Sequence, residues 1–381
     1  MKIVIAPDKF KGTLTSFEFC DIFESTFQKL LPKATVISLP LADGGDGTID
    51  IAQHYLGGEF ISKEVRNAYG VIVNANYLYS ESTKTAFIEM AEASGMKTIV
   101  HNDLNVKEAS TFGTGELILD AINKGAETII LGLGGSATND CGIGMAKALG
   151  YCLLDESGNE VVPIGKNLPK ITKITSENVH TQLFEVNFKI ACDVTNPLYG
   201  SNGASYVYAK QKGASDSDIE LLENGMQHFS KVLDDYFNIN TQEIIGGGAA
   251  GGMGVASKTF LNGELISGIE LVKELSNFNA HIKNADWILT GEGMLDEQTK
   301  NGKTIQGILS VRPSPTKIAV FCGKIAIATK TLDTLNINYA KDILSIAEDL
   351  NDALTNTKQH LHILAEQFVK NEFAEANFAK S

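Results

Sequence analysis

The stretch Leu131-Gly132-Leu133-Gly134-Gly135-Ser136-Ala137-Thr138-Asn139-Asp140 is a glycine-rich turn between a predicted strand and a predicted helix. Residues 128–130 are β-branched and predict a buried strand, and residues 141–149 predict a short helix that Gly150 ends in the C′ position. Glycines let the backbone approach a ligand, and hydroxyls or a carboxylate at a helix start suit phosphate or another anion. The alternative is a turn that needs glycine only to bend. The candidate phosphate-binding residues of this turn are Gly134, Gly135, Ser136, Thr138, Asn139 and Asp140.

The composition is typical of a soluble globular protein with one large domain or two smaller ones: 381 residues, 43% hydrophobic and 20% charged. The net charge of −14 argues against binding of nucleic acid or of an anionic membrane as the main activity. The five cysteines are scattered without a C-x-x-C pair, which indicates a reducing compartment and excludes a standard thiolate zinc site. No signal peptide or membrane-spanning run is apparent, so we expect a cytoplasmic protein with small-molecule substrates.

The first loop of the chain carries charged residues where ligands usually bind. The apolar run at residues 2–6 predicts a parallel strand, and Asp8, Lys9 and Lys11 follow it. Open α/β sheets bind ligands beyond the carboxyl ends of their strands. The capping box Thr15-Ser16-Phe17-Glu18 then predicts the start of a helix. The loop therefore suits a phosphate or carboxylate, although a solvated loop would have the same composition.

The second loop pairs two carboxylates with three glycines. It reads Ala42-Asp43-Gly44-Gly45-Asp46-Gly47-Thr48 and follows a predicted strand at residues 35–39. Magnesium prefers oxygen ligands and keeps several waters, so one or two carboxylates near a phosphate are enough to hold it. Asp43 and Asp46 are therefore the predicted metal ligands. The alternative is an Asp-Gly turn with Asp46 as a helix N-cap.

The pattern changes in the middle of the chain. Residues 60–65, 71–78 and 85–90 predict antiparallel strands and mark a second domain. Thr111-Phe112-Gly113-Thr114-Gly115 precedes a predicted helix and is a second candidate anion cradle. Further on, Gly246-Gly247-Gly248-Ala249-Ala250-Gly251-Gly252-Met253-Gly254 lacks serine, which favours an ordered backbone site or hinge over a disordered linker.

Two later strand ends also carry polar groups. Ile190-Ala191-Cys192-Asp193-Val194-Thr195-Asn196 places Asp193 where a catalytic carboxylate is expected. Residues 287–289 predict a strand, and Thr290-Gly291-Glu292-Gly293-Met294-Leu295-Asp296 is predicted as its loop. Gly302-Lys303-Thr304 lacks the upstream glycine of a P-loop, yet Lys303 at a helix start suits a phosphate. Residues 352–373 predict one amphipathic helix.

Several chemistries are disfavoured by what these motifs lack. All seven histidines lie outside the glycine and acidic motifs, which weakens Ser-His-Asp, Cys-His and histidine-metal catalysis. Ala137 stands where a dinucleotide fingerprint has its third glycine, a substitution that such sites tolerate. Carboxylates, lysines and glycine turns at strand ends suit phosphoryl transfer, in which the protein mainly positions groups and neutralises charge.

Taken together, the motifs resemble the type 1 glycerate kinase family, from the first strand to at least Gly323. No single piece is specific, but the ordered set is. This chain carries Lys9 and Asp46 where relatives often have serine and glutamate. The pieces that carry the resemblance are Ala6-Pro7-Asp8-Lys9-Phe10-Lys11-Gly12, Ala42-Asp43-Gly44-Gly45-Asp46-Gly47-Thr48, Gly132-Leu133-Gly134-Gly135-Ser136-Ala137-Thr138-Asn139-Asp140, Asp193-Val194-Thr195-Asn196-Pro197-Leu198, and Thr290-Gly291-Glu292-Gly293 with Asp296.

The resemblance implies an enzyme that uses ATP and magnesium to phosphorylate D-glycerate, with 2-phosphoglycerate favoured over 3-phosphoglycerate as the product. It also implies two α/β domains, one Rossmann-like with a flavodoxin-like parallel sheet and one inserted mixed α/β domain, with the active site in the cleft. With the changes of pattern along the chain, this assigns residues 1–66 and 285–381 to the Rossmann-like domain and 67–284 to the inserted domain.

The mechanism that the resemblance implies gives each motif a role. Lys11 holds the carboxylate of glycerate, and Asp193 or Asp296 orients the attacking hydroxyl and takes its proton. Lys303 and the 134–136 turn contact phosphates, while Asp43 and Asp46 hold magnesium directly or through water. The other predicted substrate- or phosphate-binding residues are Asp8, Thr138, Asn139, Asp140, Asn196 and Glu292.

Two alternatives from other classes stay open. A nicotinamide-dependent hydroxy-acid dehydrogenase is compatible with the glycine turn, although the crowding of lysines and paired acids disfavours it. A non-catalytic nucleotide-binding regulator would bind ATP without turnover, although binding alone needs fewer acidic loops.

Overall fold

The computed structural model describes residues 1–45, 47–99, 104–296 and 304–378. Its strands are β1 (Lys2–Ile5), β2 (Thr35–Ser38), β3 (Glu59–Arg66), β4 (Ile72–Ser80), β5 (Thr85–Glu89), β6 (Thr128–Gly132), β7 (Cys152–Leu154), β8 (Lys173–Thr175), β9 (Asn187–Ala191), β10 (Glu264–Ile266), β11 (Trp287–Leu295), β12 (Lys317–Ile325) and β13 (Tyr339–Asp342). Its helices are α1 (Ser16–Leu30), α2 (Thr48–Leu56), α3 (Ala91–Ser94), α4 (Phe112–Asn123), α5 (Ile143–Ala148), α6 (Ala204–Tyr208), α7 (Asp216–Phe237), α8 (Ala249–Phe260), α9 (Gly268–Leu275), α10 (Phe278–Ile282), α11 (Thr304–Leu309), α12 (Thr329–Thr334), α13 (Leu350–Thr355) and α14 (Thr357–Phe378).

The chain divides into two compact units. The first unit comprises Met1–Ile51 with Gly268–Ser381, and the second comprises Ala52–Ser267. These limits differ from the predicted ones at 66/67 and 284/285 for two physical reasons. Strand β3 pairs along its whole length with β4, so it belongs to the second unit. Helix α9 is tied to the first unit because Lys273 Nζ donates to the carbonyl oxygen of Gly307 in α11 at 3.0 Å.

The first unit is built on a parallel sheet with strand order β2-β1-β11-β12-β13. Numbered within the unit, this order is 2-1-3-4-5, the flavodoxin-like order, which confirms the prediction. Helix α1 begins with the predicted capping box, in which Glu18 N donates to Thr15 Oγ1 at 3.2 Å and Thr15 N donates to Glu18 Oε2 at 2.8 Å. The buried side chains of α1 and α14 that cover the sheet include Phe19, Phe23, Phe27, Leu361, Leu364 and Phe368.

The second unit is built on a mixed sheet with strand order β10-β9-β6-β5-β4-β3. Strands β10, β9, β6 and β5 run parallel, whereas β5, β4 and β3 pair antiparallel. The predicted antiparallel strands are confirmed, with the addition that β5 joins them to the parallel half. The mixed α/β prediction for this part of the chain is therefore confirmed.

Two predicted elements of the first unit were wrong. Thr290-Gly291-Glu292-Gly293-Met294-Leu295 is not a loop, because β11 continues through Leu295 and pairs with β12 up to Ile325. The tail is two helices instead of one, because α13 ends at Asn356, whose backbone leaves the helical region. In the described part of the chain, no helix combines the length and the apolar character needed to cross a bilayer.

Candidate active site

The predicted site residues fall into two groups, one on each unit. Apart from Glu292, which lies within β11, the residues of both groups lie beyond the carboxyl ends of parallel strands. Asp46 and Lys303 fall outside the described residues. The first group comprises Asp8, Lys11, Asp43, Glu292 and Asp296, and the second comprises Gly134, Gly135, Ser136, Thr138, Asn139, Asp140, Asp193 and Asn196.

Asp8 is the centre of the first group. It follows β1, and its backbone N–H donates to the carbonyl oxygen of Gly291 on the neighbouring strand at 2.8 Å. Its carboxylate accepts hydrogen bonds from Lys9 N and from Thr304 Oγ1, both at 2.7 Å. Burial, followed by the negative charge of Asp43, raises the pKa of Asp8 to about 6. This is the place where the strand order reverses, the usual ligand crevice of such sheets.

Asp43 follows β2 and lies close enough to Asp8 to affect its ionisation. Its Oδ1 accepts a hydrogen bond from Gly45 N at 3.1 Å. The loop is held by close backbone packing, because a Cβ on Gly268 would lie 2.2 Å from Gly44 Cα. Two mutually repelling carboxylates, one of them buried, suit a hard cation that neutralises both. Among the described residues no group of three or more metal-ligating side chains occurs, so such a cation would complete its shell with waters or ligand oxygens.

The remaining residues of the first group lie along β11 and near it. Glu292 is buried within β11 and pairs in register with Cys322 of β12. Asp296 is half-buried immediately after the strand. Lys11 is exposed and borders a cavity of about 220 Å³. The parallel sheet therefore brings loop residues from β1, β2 and β11 to one edge.

In the second unit, the glycine-rich turn follows β6 as predicted and is fixed on both sides by backbone hydrogen bonds. Leu133 N donates to Ala191 O at 3.4 Å, and Met96 N donates to Gly135 O at 3.1 Å. Gly135 has φ +69°, a conformation that glycine adopts without strain. Asp193 is exposed two residues beyond β9, the parallel neighbour of β6. The turn and Asp193 consequently share one edge of the mixed sheet.

Asp140 is enclosed by the protein's own donors. Its fully buried carboxylate accepts hydrogen bonds from Thr111 N at 2.8 Å, Thr111 Oγ1 at 2.9 Å, and the backbone N–H groups of Gly142 and Gly144 at 3.2 Å. Burial raises its pKa, and these four hydrogen bonds act in the opposite direction. Asp140 thus anchors the start of α5 to the start of α4. The predicted Thr111–Gly115 anion cradle holds this carboxylate and continues directly into α4.

Asn196 and Asn139 also have internal partners. Tyr208 Oη donates to Asn196 Oδ1 at 2.6 Å, and Asn196 Nδ2 donates to Asn202 O at 2.8 Å. Asn139 Nδ2 donates to Ser205 Oγ at 3.2 Å, while Asn139 Oδ1 and Thr138 Oγ1 are buried without a hydrogen-bond partner among the residues that the structure describes. Within that part of the chain, the turn therefore retains two polar atoms without an internal partner.

Lys212 also belongs to this region, although no motif in the sequence predicts it. It is 2% exposed, and its Nζ donates to Ser136 Oγ at 2.8 Å and to Thr138 O at 2.7 Å. Burial lowers the pKa of Lys212 to about 7, although the charge of Asp140 opposes this shift. Nothing local distinguishes Lys212 in the sequence, because its partners lie 76 and 74 residues away.

The glycine run at 246–254 is ordered, as predicted, and packs against the turn. Gly251 and Gly252 have φ +73° and +94° at the start of α8. A Cβ on Gly251 would lie 2.2 Å from Thr138 O, and Cys141 N donates to Gly251 O at 2.9 Å. Only glycine allows this approach, so the run packs closely against the backbone of the turn.

Comparison with known proteins gives a consistent result. A sequence model of the Glycerate kinase family matches residues 3–371. The chain is 44% identical to a glycerate kinase of Bacillus cereus over 81% of each chain. It is 42% identical to the glycerate 2-kinase of Escherichia coli over 82% of each chain.

A solved structure is similar over nearly the whole chain. It is the crystal structure of a protein described as glycerate kinase 2 from Salmonella typhimurium LT2. The TM-score is 0.87 at 34% identity, and the match covers 99% of this chain and 100% of that one. The chain therefore belongs to the glycerate kinase family of enzymes.

Proposed function

We propose that the protein transfers the γ-phosphoryl group of ATP to the 2-hydroxyl of D-glycerate, giving ADP and 2-phosphoglycerate. The observation that carries the proposal is the acidic pair Asp8 and Asp43 at the reversal point of the parallel sheet. Such a pair suits a divalent cation bound to nucleotide phosphates. Membership of the family supports glycerate as the acceptor, and the name of the E. coli relative supports the 2-phosphate product.

Magnesium fits the donor set of the first unit. Asp8 and Asp43 offer oxygen ligands whose mutual repulsion a divalent cation would relieve. Asp46 is the other predicted ligand. When bound, the metal would supply positive charge to the phosphates, and the protein's part is to hold the carboxylates in place and to exclude competing water.

The chemical step needs a base for the attacking hydroxyl. As the new O–P bond forms and the bond from the γ-phosphorus to the bridging oxygen of ADP breaks, the hydroxyl proton passes to a carboxylate. Asp193 and Asp296 are the two candidates, each placed just beyond a strand end. Lys11 supplies a cation for the anionic groups of the substrates, and the 134–136 turn and Lys303 serve as further phosphate contacts.

A coupled assay of ADP release with ATP, magnesium and D-glycerate tests the proposal. We expect turnover that requires both D-glycerate and the metal, with L-glycerate as the control acceptor. Phosphorus NMR of the product distinguishes a 2-phosphate from a 3-phosphate. Reduction of a nicotinamide cofactor by hydroxy acids would instead favour the dehydrogenase, and ATP binding without turnover would favour the regulator.

The matched variants Asp193→Asn and Asp296→Asn identify the base. We expect the variant of the true base to lose a factor of roughly 10² to 10⁴ in kcat with little change in the KM for ATP. The other variant should keep most of its kcat. If both retained wild-type kcat, neither carboxylate would be the base.

A further inference from the structure

The first unit contains a cavity of about 220 Å³ whose lining includes two glycines of the sheet. They are Gly293 of β11 and Gly323 of β12, which lie on neighbouring strands. A Cβ on Gly323 would lie 2.5 Å from the carbonyl oxygen of Gly293, so only glycine fits at position 323. Neither glycine adds a side chain to the cavity, so a flat group bound there would contact the backbone of the sheet.

The walls of the cavity are apolar and open to solvent. Phe10 lies on one side, while Met294, Leu350 and Leu354 border the opening. These last three side chains are 48%, 63% and 53% exposed. Large apolar side chains gathered around one opening mark a ligand or partner surface more often than isolated ones do.

The charge of the cavity is opposite to that of the chain. Lys11 and Lys324 border it, and the described residues that line it include no carboxylate. The chain as a whole has a net charge of −14. A small cationic, apolar site in an acidic protein selects a ligand that joins an apolar body to an anionic tail.

A second cavity of the first unit has the wrong position for this ligand. It measures about 780 Å³ and is lined by Met1, Asp286, Trp287 and Lys317, at the beginnings of β1, β11 and β12. Ligands of such sheets bind at the opposite, carboxyl ends of the strands. The cavity at Gly293 and Gly323 lies towards those ends.

We propose that the 220 Å³ cavity binds the adenine base of the nucleotide, with Lys11 and Lys324 facing its phosphates. The proposal deepens the proposed function and rests on it. Complete small-molecule sites measure roughly 300–1,000 Å³, so this cavity holds part of a ligand, and the phosphates would extend out of it. Glycerate does not suit it, because that acid is small and polar throughout.

The first test is calorimetric titration of the full chain with ADP and, separately, with pyrophosphate. Leu354→Glu removes apolar contact with the base and adds a repelling charge, so we expect the Kd for ADP to rise roughly tenfold or more with a smaller effect on pyrophosphate. Lys324→Gln should weaken both ligands by a factor of about 3 to 10. Both side chains are exposed, and the fluorescence of Trp287 in the first unit checks that each variant is folded.

The control variants are Lys317→Gln, at the other cavity, and Leu221→Glu, on an exposed leucine of the second unit. Neither should change the Kd for ADP.

Wild-type Kd values in folded Leu354→Glu and Lys324→Gln would overturn the cavity assignment, as would a change of oligomeric state in Leu354→Glu seen by sedimentation. ADP binding without D-glycerate turnover would instead overturn the proposed function. The Kd values of the variants relative to the wild type would then still decide whether the cavity binds adenine. Absence of ADP binding by the wild type would overturn both.

Discussion

Asp140 of the second unit and Asp8 of the first are both buried carboxylates beyond the end of a parallel strand. Asp140 accepts four hydrogen bonds from backbone and hydroxyl donors. Asp8 accepts two from the described residues and faces the negative charge of Asp43. The number of donors decides the role, because a satisfied carboxylate holds the backbone whereas an under-satisfied one remains available to a cation. Acidic residues in the loops that follow parallel strands therefore look alike in the sequence and differ in function.

The largest effect should follow from removing the satisfied carboxylate. Asp140→Ala leaves buried donors unpaired, each at a cost of roughly 1–3 kcal/mol, so we expect the second unit to lose about 4 kcal/mol of its free energy of unfolding. Urea unfolding followed by far-UV circular dichroism measures the loss. Trp287, the one tryptophan of the chain, reports on the first unit and should change little.

Asp155→Ala is the matched control for Asp140→Ala. Asp155 also accepts backbone hydrogen bonds, from Ser157 N at 2.9 Å and Asn159 N at 2.8 Å, but its partners are exposed to solvent. We expect a loss of only about 1 kcal/mol, because water replaces the missing acceptor. Equal losses in the two variants would contradict the anchoring role of Asp140.

Removal of the Asp8 carboxylate, which accepts fewer hydrogen bonds than Asp140 in the described part of the chain, should raise the free energy of unfolding instead of lowering it. The pKa of Asp8 rises from 3.8 to about 6 in the folded protein, so the ionised form weakens folding at any pH above 6. The neutral isostere Asp8→Asn should therefore stabilise the first unit at pH 7.5 by up to about 3 kcal/mol.

The same change should lower kcat by a factor of roughly 10² to 10³, because the cation would lose a charged ligand. Trp287 fluorescence in urea and the coupled ADP assay give the two readouts on one preparation. A variant that is less stable than the wild type would show that Asp8 is a structural anchor like Asp140, and one as active as the wild type would show that Asp8 holds no catalytic cation.

This contrast also shows what the sequence could predict. Loops after neighbouring parallel strands must meet at one edge, so the approach of Asp8 and Asp43 follows from strand order alone. The bond from Thr304 to Asp8 spans 296 residues and could not be inferred, nor could the bonds of Lys212. Such contacts depend on how segments distant in the sequence pack together in the folded chain, which local sequence patterns do not show.

The misassigned loop has a definite physical cause. The glycines at 291 and 293 belong to the stretch predicted as a loop, but they lie inside β11. A Cβ on Gly291 would lie 2.3 Å from Phe321 O and 2.7 Å from the Phe19 ring. Glycine here allows close packing of α1 and β12 on the strand, and sequence alone does not separate that need from a turn.

A dependence of stability on pH should separate Lys212 from ordinary lysines. Its pKa falls from 10.5 to about 7 on folding, so between these pH values the folded state binds fewer protons than the unfolded state. Stability should rise with pH across this window, by at most about 1.4 kcal/mol per pH unit, and the full cost of the buried charge should remain below pH 7.

Lys212→Met removes the titrating amine. The difference in the free energy of unfolding between the wild type and the variant therefore separates the contribution of Lys212 from that of other groups that titrate at high pH. Unfolding in urea at pH 6.5, 8 and 9.5 measures the difference. Lys210→Met, on an exposed lysine nearby, should keep the wild-type slope. A Lys212→Met variant with that slope as well would mean that Lys212 stays charged in the turn.

The smallest effect concerns the coupling between the two acids of the first unit. The charge of Asp43 is the second cause of the raised pKa of Asp8, after burial, so Asp43→Asn should lower that pKa without restoring it to 3.8. The stability of the first unit falls as pH rises through the pKa of Asp8, and in the variant this fall should move to lower pH.

Trp287 fluorescence in urea between pH 4 and 7.5, with EDTA present, locates the midpoint of this fall in stability. Asp333→Asn, on an exposed acid of the same unit, should leave the midpoint in place. An unmoved midpoint in Asp43→Asn would mean that the charge of Asp43 does not affect the ionisation of Asp8, so that burial alone raises the pKa of Asp8.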